Sequence, residues 1–145
     1  MGVVADHADL DGLESHSFRT DRLVPAGHAL AGRERIAFAE ALGNDFVGLS
    51  GDSALHQHLA GHAVRTGDRM RLRVRVRGLD AACRMVALGA GVAVMPEAVA
   101  RRHGALALVR LEDQWAERRL LVVVRRFDAL PAHARRLVER LTASV

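Results

Sequence analysis

Apolar and polar residues alternate along this chain with two different periods, and the periods mark out its elements. The two-residue period is clearest from Met70 to Arg77. Met70, Leu72, Val74 and Val76 fall on one face there, and Arg71, Arg73, Arg75 and Arg77 on the other. That predicts a strand, because successive strand side chains point to opposite faces. Gly78 ends it. Val92-Ala93-Val94-Met95 is apolar at every position, which marks a strand covered on both faces, as in a parallel sheet. Asp45-Phe46-Val47-Gly48-Leu49 predicts another short buried strand. Helical spacing runs from Ile36 to Leu42, stopping at Gly43-Asn44, and from Ala54 to about Arg65, stopping near Gly67. Asp52 or Ser53 can cap the second of these by accepting from the unpaired N–H groups of its first turn. Leu79 to Leu88 predicts a helix with Ala82, Met85, Val86 and Gly89 on one side, and Pro96-Glu97 opens a short helix to about His103.

The two ends of the chain are less regular. Gly2 to Ala5 is a short apolar run that stops at Asp6. His7 to Ser17 is polar with Asp-Gly punctuation and predicts a loop. Phe18 to Val24 predicts a strand ended by Pro25-Ala26-Gly27. Leu106 to Leu111 and Arg119 to Arg125 predict two more strands, with Trp115 in the loop between them. Asp128 is placed to cap a last helix, with Pro131 in its first turn and Leu137, Val138 and Leu141 on its inner face. Strands alternating with helices, with doubly apolar strands among them, imply an α/β fold: a mostly parallel sheet flanked by helices, with right-handed crossovers.

Composition narrows this further. The chain has 145 residues, enough for one domain with a real core or for two small lobes. Half the residues are hydrophobic and 26% are charged, which excludes wholesale disorder. With four Phe, one Trp and no Tyr, the core is built from Ala, Val and Leu, and platforms for stacking bases are few. The net charge is +4, and all 21 basic residues are Arg. Acids interrupt them, as in Arg33-Glu34-Arg35, Glu117-Arg118-Arg119 and the pair Arg136 and Glu139, which points to solvated faces and local ion pairs. One cysteine, Cys83, allows no intrachain disulfide. The first residues have no basic leader region and no apolar run nears the roughly 20 residues that span a bilayer. The expected compartment is the cytoplasm, with no membrane partner.

Ligands of open α/β sheets bind at the carboxyl ends of the strands. Those ends are Ser50-Gly51-Asp52-Ser53, Arg77-Gly78-Leu79-Asp80 and Met95-Pro96-Glu97, each followed by a helix. A helix start offers unpaired N–H groups and partial positive charge, which suits a carboxylate or another small anion. Any one of these loops alone is an ordinary cap; three in succession favour a shared pocket. Other chemistries fit less well. Gly48-Leu49-Ser50-Gly51 resembles a nucleophile elbow, but position 52 is Asp where a second Gly is needed, and no His is assignable as base. His56, His58 and His62 share a helix, yet residue 59 is Leu, so the zinc-protease pattern is broken and a solvated or partly packed histidine face is expected. Gly89-Ala90-Gly91 leads into a strand rather than out of one, so it is a helix end and a close-packing point rather than a phosphate loop. The Arg71, Arg73, Arg75, Arg77 stripe has no aromatics between its members and reads as a solvated sheet face or subunit contact before a nucleic-acid track. Cys83 reads as a packed thiol.

Two stretches carry a resemblance. Pro25-Ala26-Gly27-His28-Ala29-Leu30-Ala31 is similar to the P-x-x-H-P-L-A turn of LysR-type transcriptional regulators, with Ala29 in place of the second Pro. Val76 to Pro96 resembles their helix followed by V-A-x-G-x-G-V-x-x-x-P. Residues 106–143 resemble the family's two closing strands and final helix. The resemblance implies the effector-binding domain of such a regulator, built like type II periplasmic binding proteins from two α/β lobes. Residues 26–105 would be the second lobe, and 1–25 with 106–145 the remnant of the first, with the crossing strands. The winged helix-turn-helix and the first half of lobe one would lie outside this chain. The family places a small organic acid or related metabolite between the lobes. The matching positions are Ser50, Gly51, Asp52 and Ser53, Gly78, Leu79 and Asp80, and Pro96, the loops chosen from the strand ends. The run before Pro25 is shorter than is usual, with only Leu23-Val24 apolar. The expectation is an effector-sensing, dimerising domain with a small-molecule partner, no catalytic residue, metal or cofactor, and contact with DNA only through an N-terminal domain. The alternatives are a small α/β hydrolase using Ser50 and a basic nucleic-acid module using Arg71 to Arg77.

Overall fold

The computed structural model describes residues 1–5 and 10–143. In chain order these form β1 (Gly2–Ala5), β2 (Glu14–Ala26), β3 (Arg35–Ile36), α1 (Phe38–Ala41), β4 (Asp45–Leu49), α2 (Ala54–Arg65), β5 (Arg71–Val76), α3 (Leu79–Ala87), β6 (Ala93–Pro96), α4 (Glu97–Arg102), β7 (Arg110–Leu111), β8 (Glu117–Val124) and α5 (Ala132–Thr142). The chain divides into two compact units: Arg22–Ala116, and Met1–Asp21 with Glu117–Val145.

In the 22–116 unit the apolar strands pair as their composition requires. β4 and β5 are parallel, from Asp45 opposite Arg71 to Leu49 opposite Val76. On its other edge β4 meets the start of β6: Val47 N donates to Val92 O and Val92 N to Asp45 O, both at 2.9 Å. β6 then pairs antiparallel with the end of β2, Leu23 opposite Pro96 through Ala26 opposite Ala93. All four residues of β6 are buried. The strand alternation sorts the core into two layers. Phe46, Val92 and Val94 pack with Leu59 and Ala63 of α2 and with Leu30, Ile36 and Phe38. Val47, Ala93 and Met95 pack with Ala82, Cys83 and Val86 of α3 and Ala100 of α4. Helices therefore cover both faces of a mostly parallel sheet. On β5 the arginines are exposed and Leu72, Val74 and Val76 are half-buried.

Two elements of this unit are shorter than the periodicity predicts. The helix expected over Ile36 to Leu42 is the four-residue α1. Ile36 instead sits in β3, parallel to β7 and opposite Leu111, and Phe38 N donates to Asp113 Oδ2 at 2.8 Å. A short apolar run satisfies a strand followed by a turn as readily as a helix. The strand expected over Leu106 to Leu111 is reduced to Arg110–Leu111, with a single bridge from Leu108 to Ala26.

In the other unit β1 pairs antiparallel with β8, Gly2 opposite Val123 through Ala5 opposite Leu120, and β8 lies between β1 and β2. Val122, Val124 and Val138 of α5 form its core, with Phe127, Leu130 and Leu141 against them. Glu14 to Ser17, expected as loop, begins β2, which runs for 13 residues. Its polar start is held by partners rather than by burial: Glu14 Oε2 accepts from Phe127 N at 3.0 Å, and the His16 ring lies 5.3 Å from that of Phe127. The same length answers the short apolar run before Pro25, since pairing extends the strand through Ala26. Residues 7–9 of the expected loop lie outside the described residues.

Asp128 does not cap the last helix. Pro131 occupies the cap position with no side-chain cap hydrogen bond, and the Asp128 carbonyl accepts from Arg135 Nη2 at 3.2 Å. Of the expected inner face, Val138 is 1% exposed with Leu141 packed beside it, whereas Leu137, on the flank of that stripe, is 46% exposed.

Candidate functional site

Because β4, β5 and β6 run in parallel where they adjoin, their carboxyl ends open at one edge of the 22–116 unit, and the predicted residues follow directly from them. Ser50 leaves β4 with its N–H donating to Val76 O of β5 at 3.1 Å, so the first two strand ends are tied together. The turn closes through Ser53 N to Ser50 O at 2.9 Å. Of the two candidate caps, Ser53 does the capping: its Oγ accepts from His56 N at 3.4 Å. Asp52 is exposed. Gly51 O accepts from Gln57 Nε2 at 3.3 Å, and a Cβ at Gly51 would lie 3.2 Å from Arg75 Nη1.

Gly78 occupies the cap position of α3, its carbonyl accepting from Ala82 N at 3.3 Å. Leu79 turns inward. Asp80 is exposed, its Oδ1 lying 3.1 Å from Nε2 of His103 at the end of α4. Pro96 is buried and closes β6. Beneath these loops lies a cavity of about 20 Å³, room for roughly one water. It is lined by Phe46 to Leu49, His56, Leu59, Met70, Leu79, Ala82 and Ala93 to Met95. Of the predicted residues only Leu79 reaches this lining. The rest stand on the rim or beyond it.

The electrostatics of the rim bring in two residues the loop argument passed over. Burial, and then the charge of Arg75, hold the His56 imidazole below the usual histidine range. His56 lies one turn into the helix that follows the Ser50–Ser53 loop, and Arg75 stands opposite Gly48 in the β4–β5 register. Strand pairing is the signal that joins Arg75 to the loop, and pairing is not visible in β5 alone. Cys83 is fully buried, with Sγ 3.3 Å from Met95 Sδ. Burial raises its thiol pKa first, Asp80 adds to that, and Arg102 opposes it.

The other candidate chemistries find different surroundings. The His62 ring stacks on Trp115 at 3.9 Å with 10° between the planes. His58 meets the same indole edge-on at 5.5 Å. Among the described residues no group of three His, Cys, Asp or Glu is placed to hold a metal. Arg71 and Arg73 of the stripe approach Asp45 at 3.7 and 4.0 Å. No helix among the described residues is long and apolar enough to cross a membrane.

Comparison with known proteins gives a consistent answer. The LysR substrate binding domain family matches residues 1–145. No curated protein matches the sequence. The regulatory domain of Synechocystis PCC6803 CcmR, in complex with 2-PG, superposes with a TM-score of 0.79 at 18% identity, over 97% of this chain and 71% of that one. The effector binding domain of QuiR in complex with shikimate gives 0.77 at 12% identity, over 97% of this chain and 68% of that one. A Corynebacterium glutamicum OxyR mutant gives 0.77 at 18% identity, and here the chain covers 46% of the match. The chain thus spans about half the length of that regulator. These likenesses show a shared fold, the periplasmic-binding-protein-like α/β architecture of effector-binding domains. The family is one of transcriptional regulators rather than enzymes, so the hydrolase alternative at Ser50 falls.

Proposed function

We propose, given that the chain belongs to the LysR substrate-binding domain family, that it senses a small anionic metabolite at the carboxyl ends of β4, β5 and β6. The 22–116 unit corresponds on this reading to the second lobe expected at 26–105, and residues 1–21 with 117–145 to the remnant of the first. The observation that carries the proposal is the adjacency of the Ser50–Ser53 turn and the end of β5, joined by the Ser50–Val76 hydrogen bond. That turn presents the start of a 12-residue helix, where unpaired N–H groups and the helix dipole favour negative charge. Gly78, Leu79, Asp80 and Pro96 continue the same rim. Asp80 serves it indirectly, through its bond to His103.

The domain works in the cytoplasm and forms a homo-oligomer, and it influences DNA through a separate N-terminal domain. A ligand acts by favouring one arrangement of the protein over another, to the extent of its differential affinity. Thermal-shift screening against small carboxylates and aromatic acids, with light scattering for mass, tests this. A binder at 100 times its Kd stabilises by about 2.7 kcal/mol, which is a rise of several degrees in Tm. A folded monomer whose Tm is indifferent to every acid would overturn the proposal.

A further inference from the structure

The arginines of β5 differ in what they face. Arg71 and Arg73 approach the Asp45 carboxylate. Arg75 is exposed and has no carboxylate partner among the described residues, the Asp52 carboxylate of the adjoining loop included. Its guanidinium lies against Gly51, where a Cβ would come within 3.2 Å of Nη1. Gly51 is not one of the glycines with positive φ, so its backbone does not demand glycine. What the missing side chain leaves is room for the arginine head beside the turn. The charge also reaches inward, to His56 at the cavity wall, whose protonated form it disfavours.

We infer that Arg75 is the specificity-determining cation of the strand-end site, selecting a ligand that carries a carboxylate or phosphate over a neutral one of the same shape. The inference rests on the effector site proposed above. Arg75 supplies a planar, permanently charged donor fork that matches such oxyanions. A neutral His56 beside it offers hydrogen bonding without a second cation.

The test is an NMR titration of the ¹⁵N-labelled chain with benzoate, succinate and inorganic phosphate, and with benzamide as the neutral counterpart. The expected result is that the anions move the amide signals of Gly51 to Ser53 and bind more tightly than benzamide. Succinate against phosphate separates the carboxylate from the phosphate source. Arg75→Gln weakens the anions roughly tenfold or more, the worth of a hydrogen bond to a charged group, and leaves benzamide unchanged. Arg75→Lys retains part of the preference, and Arg73→Gln retains all of it. Without ligand, Arg75→Gln raises the His56 pKa, which checks the proximity of the two groups independently. Anion binding at Gly51 to Ser53 that is equally tight in Arg75→Gln would overturn the role of Arg75 and leave the strand-end site standing. If no probe moves the amides of residues 50–53 or 78–80, both fall.

Discussion

Gly89 and Gly91 stand two residues apart in the Gly-Ala-Gly turn between α3 and β6, and alanine at the two positions is expected to have different costs. Gly91 has a φ of +151°, and a Cβ there would collide with the Asp45 carbonyl, 3.0 Å from its carbon. That carbonyl accepts from Val92 N, and Val92 O accepts from Val47 N, both at 2.9 Å. These two bonds join β4 to β6. Pushing the strands apart loses both, at about 1 kcal/mol each, and the backbone conformation costs an alanine about 1–3 kcal/mol more. Gly91→Ala is therefore expected to destabilise by about 3–5 kcal/mol, a large part of the ~5–15 kcal/mol typical of a folded domain. Gly89 has a φ of +78° and open space around it, so Gly89→Ala costs only the left-handed conformation, about 1–2 kcal/mol. Urea denaturation followed by the fluorescence of Trp115, the one tryptophan, measures both. A Gly91→Ala protein within about 1 kcal/mol of wild type, or one more stable than Gly89→Ala, would refute the reasoning.

Other consequences are measurable on the same protein. The folded-state pKa of His56 lies below the ordinary histidine value of about 6.5, so the unfolded chain binds the extra proton first. Stability then falls as pH drops through about 6.5 toward the folded pKa and levels off below it. His56→Gln should flatten this part of a Tm-against-pH curve. Cys83, buried and with its thiol pKa raised, should react with Ellman's reagent only in urea, and rapid labelling of the native protein would contradict its packing. Leu137→Ser should change stability by no more than about 0.5 kcal/mol. Val138→Ala should cost about 2 kcal/mol, from two lost methyls and the cavity they leave, and the reverse order would restore the inner face expected from the sequence.

Local pattern was enough wherever one side of an element faces water or none does. The alternation of Met70 to Arg77 and the unbroken apolar run of Val92 to Met95 identify their strands because burial imposes those patterns directly on the residues. The doubly buried β6 in turn implies a parallel sheet with helices on both faces, and hence a row of strand ends at which Ser50 to Ser53 and Gly78 to Asp80 stand. The two motifs from Pro25 and from Val76 carried the family.

Tertiary structure decided what depends on partners distant in the chain. Glu14 to Ser17 are strand because β2 lies beside β8, and their own polarity gives no hint of it. Ile36 is strand because Leu111 lies opposite it. Which of Leu137 and Val138 is buried depends on the contact of α5 with Val122 and Val124, where Val138 packs and Leu137 does not. The strand-end residues themselves were visible as a list, but not their division of labour. That Ser53 rather than Asp52 caps α2, that Asp80 meets His103, and that the exposed Arg75 lies beside Gly51 all follow from the packing of the β4–β5 register and its helices. Periodicity records which face of an element is buried, whereas a site depends on which elements are neighbours.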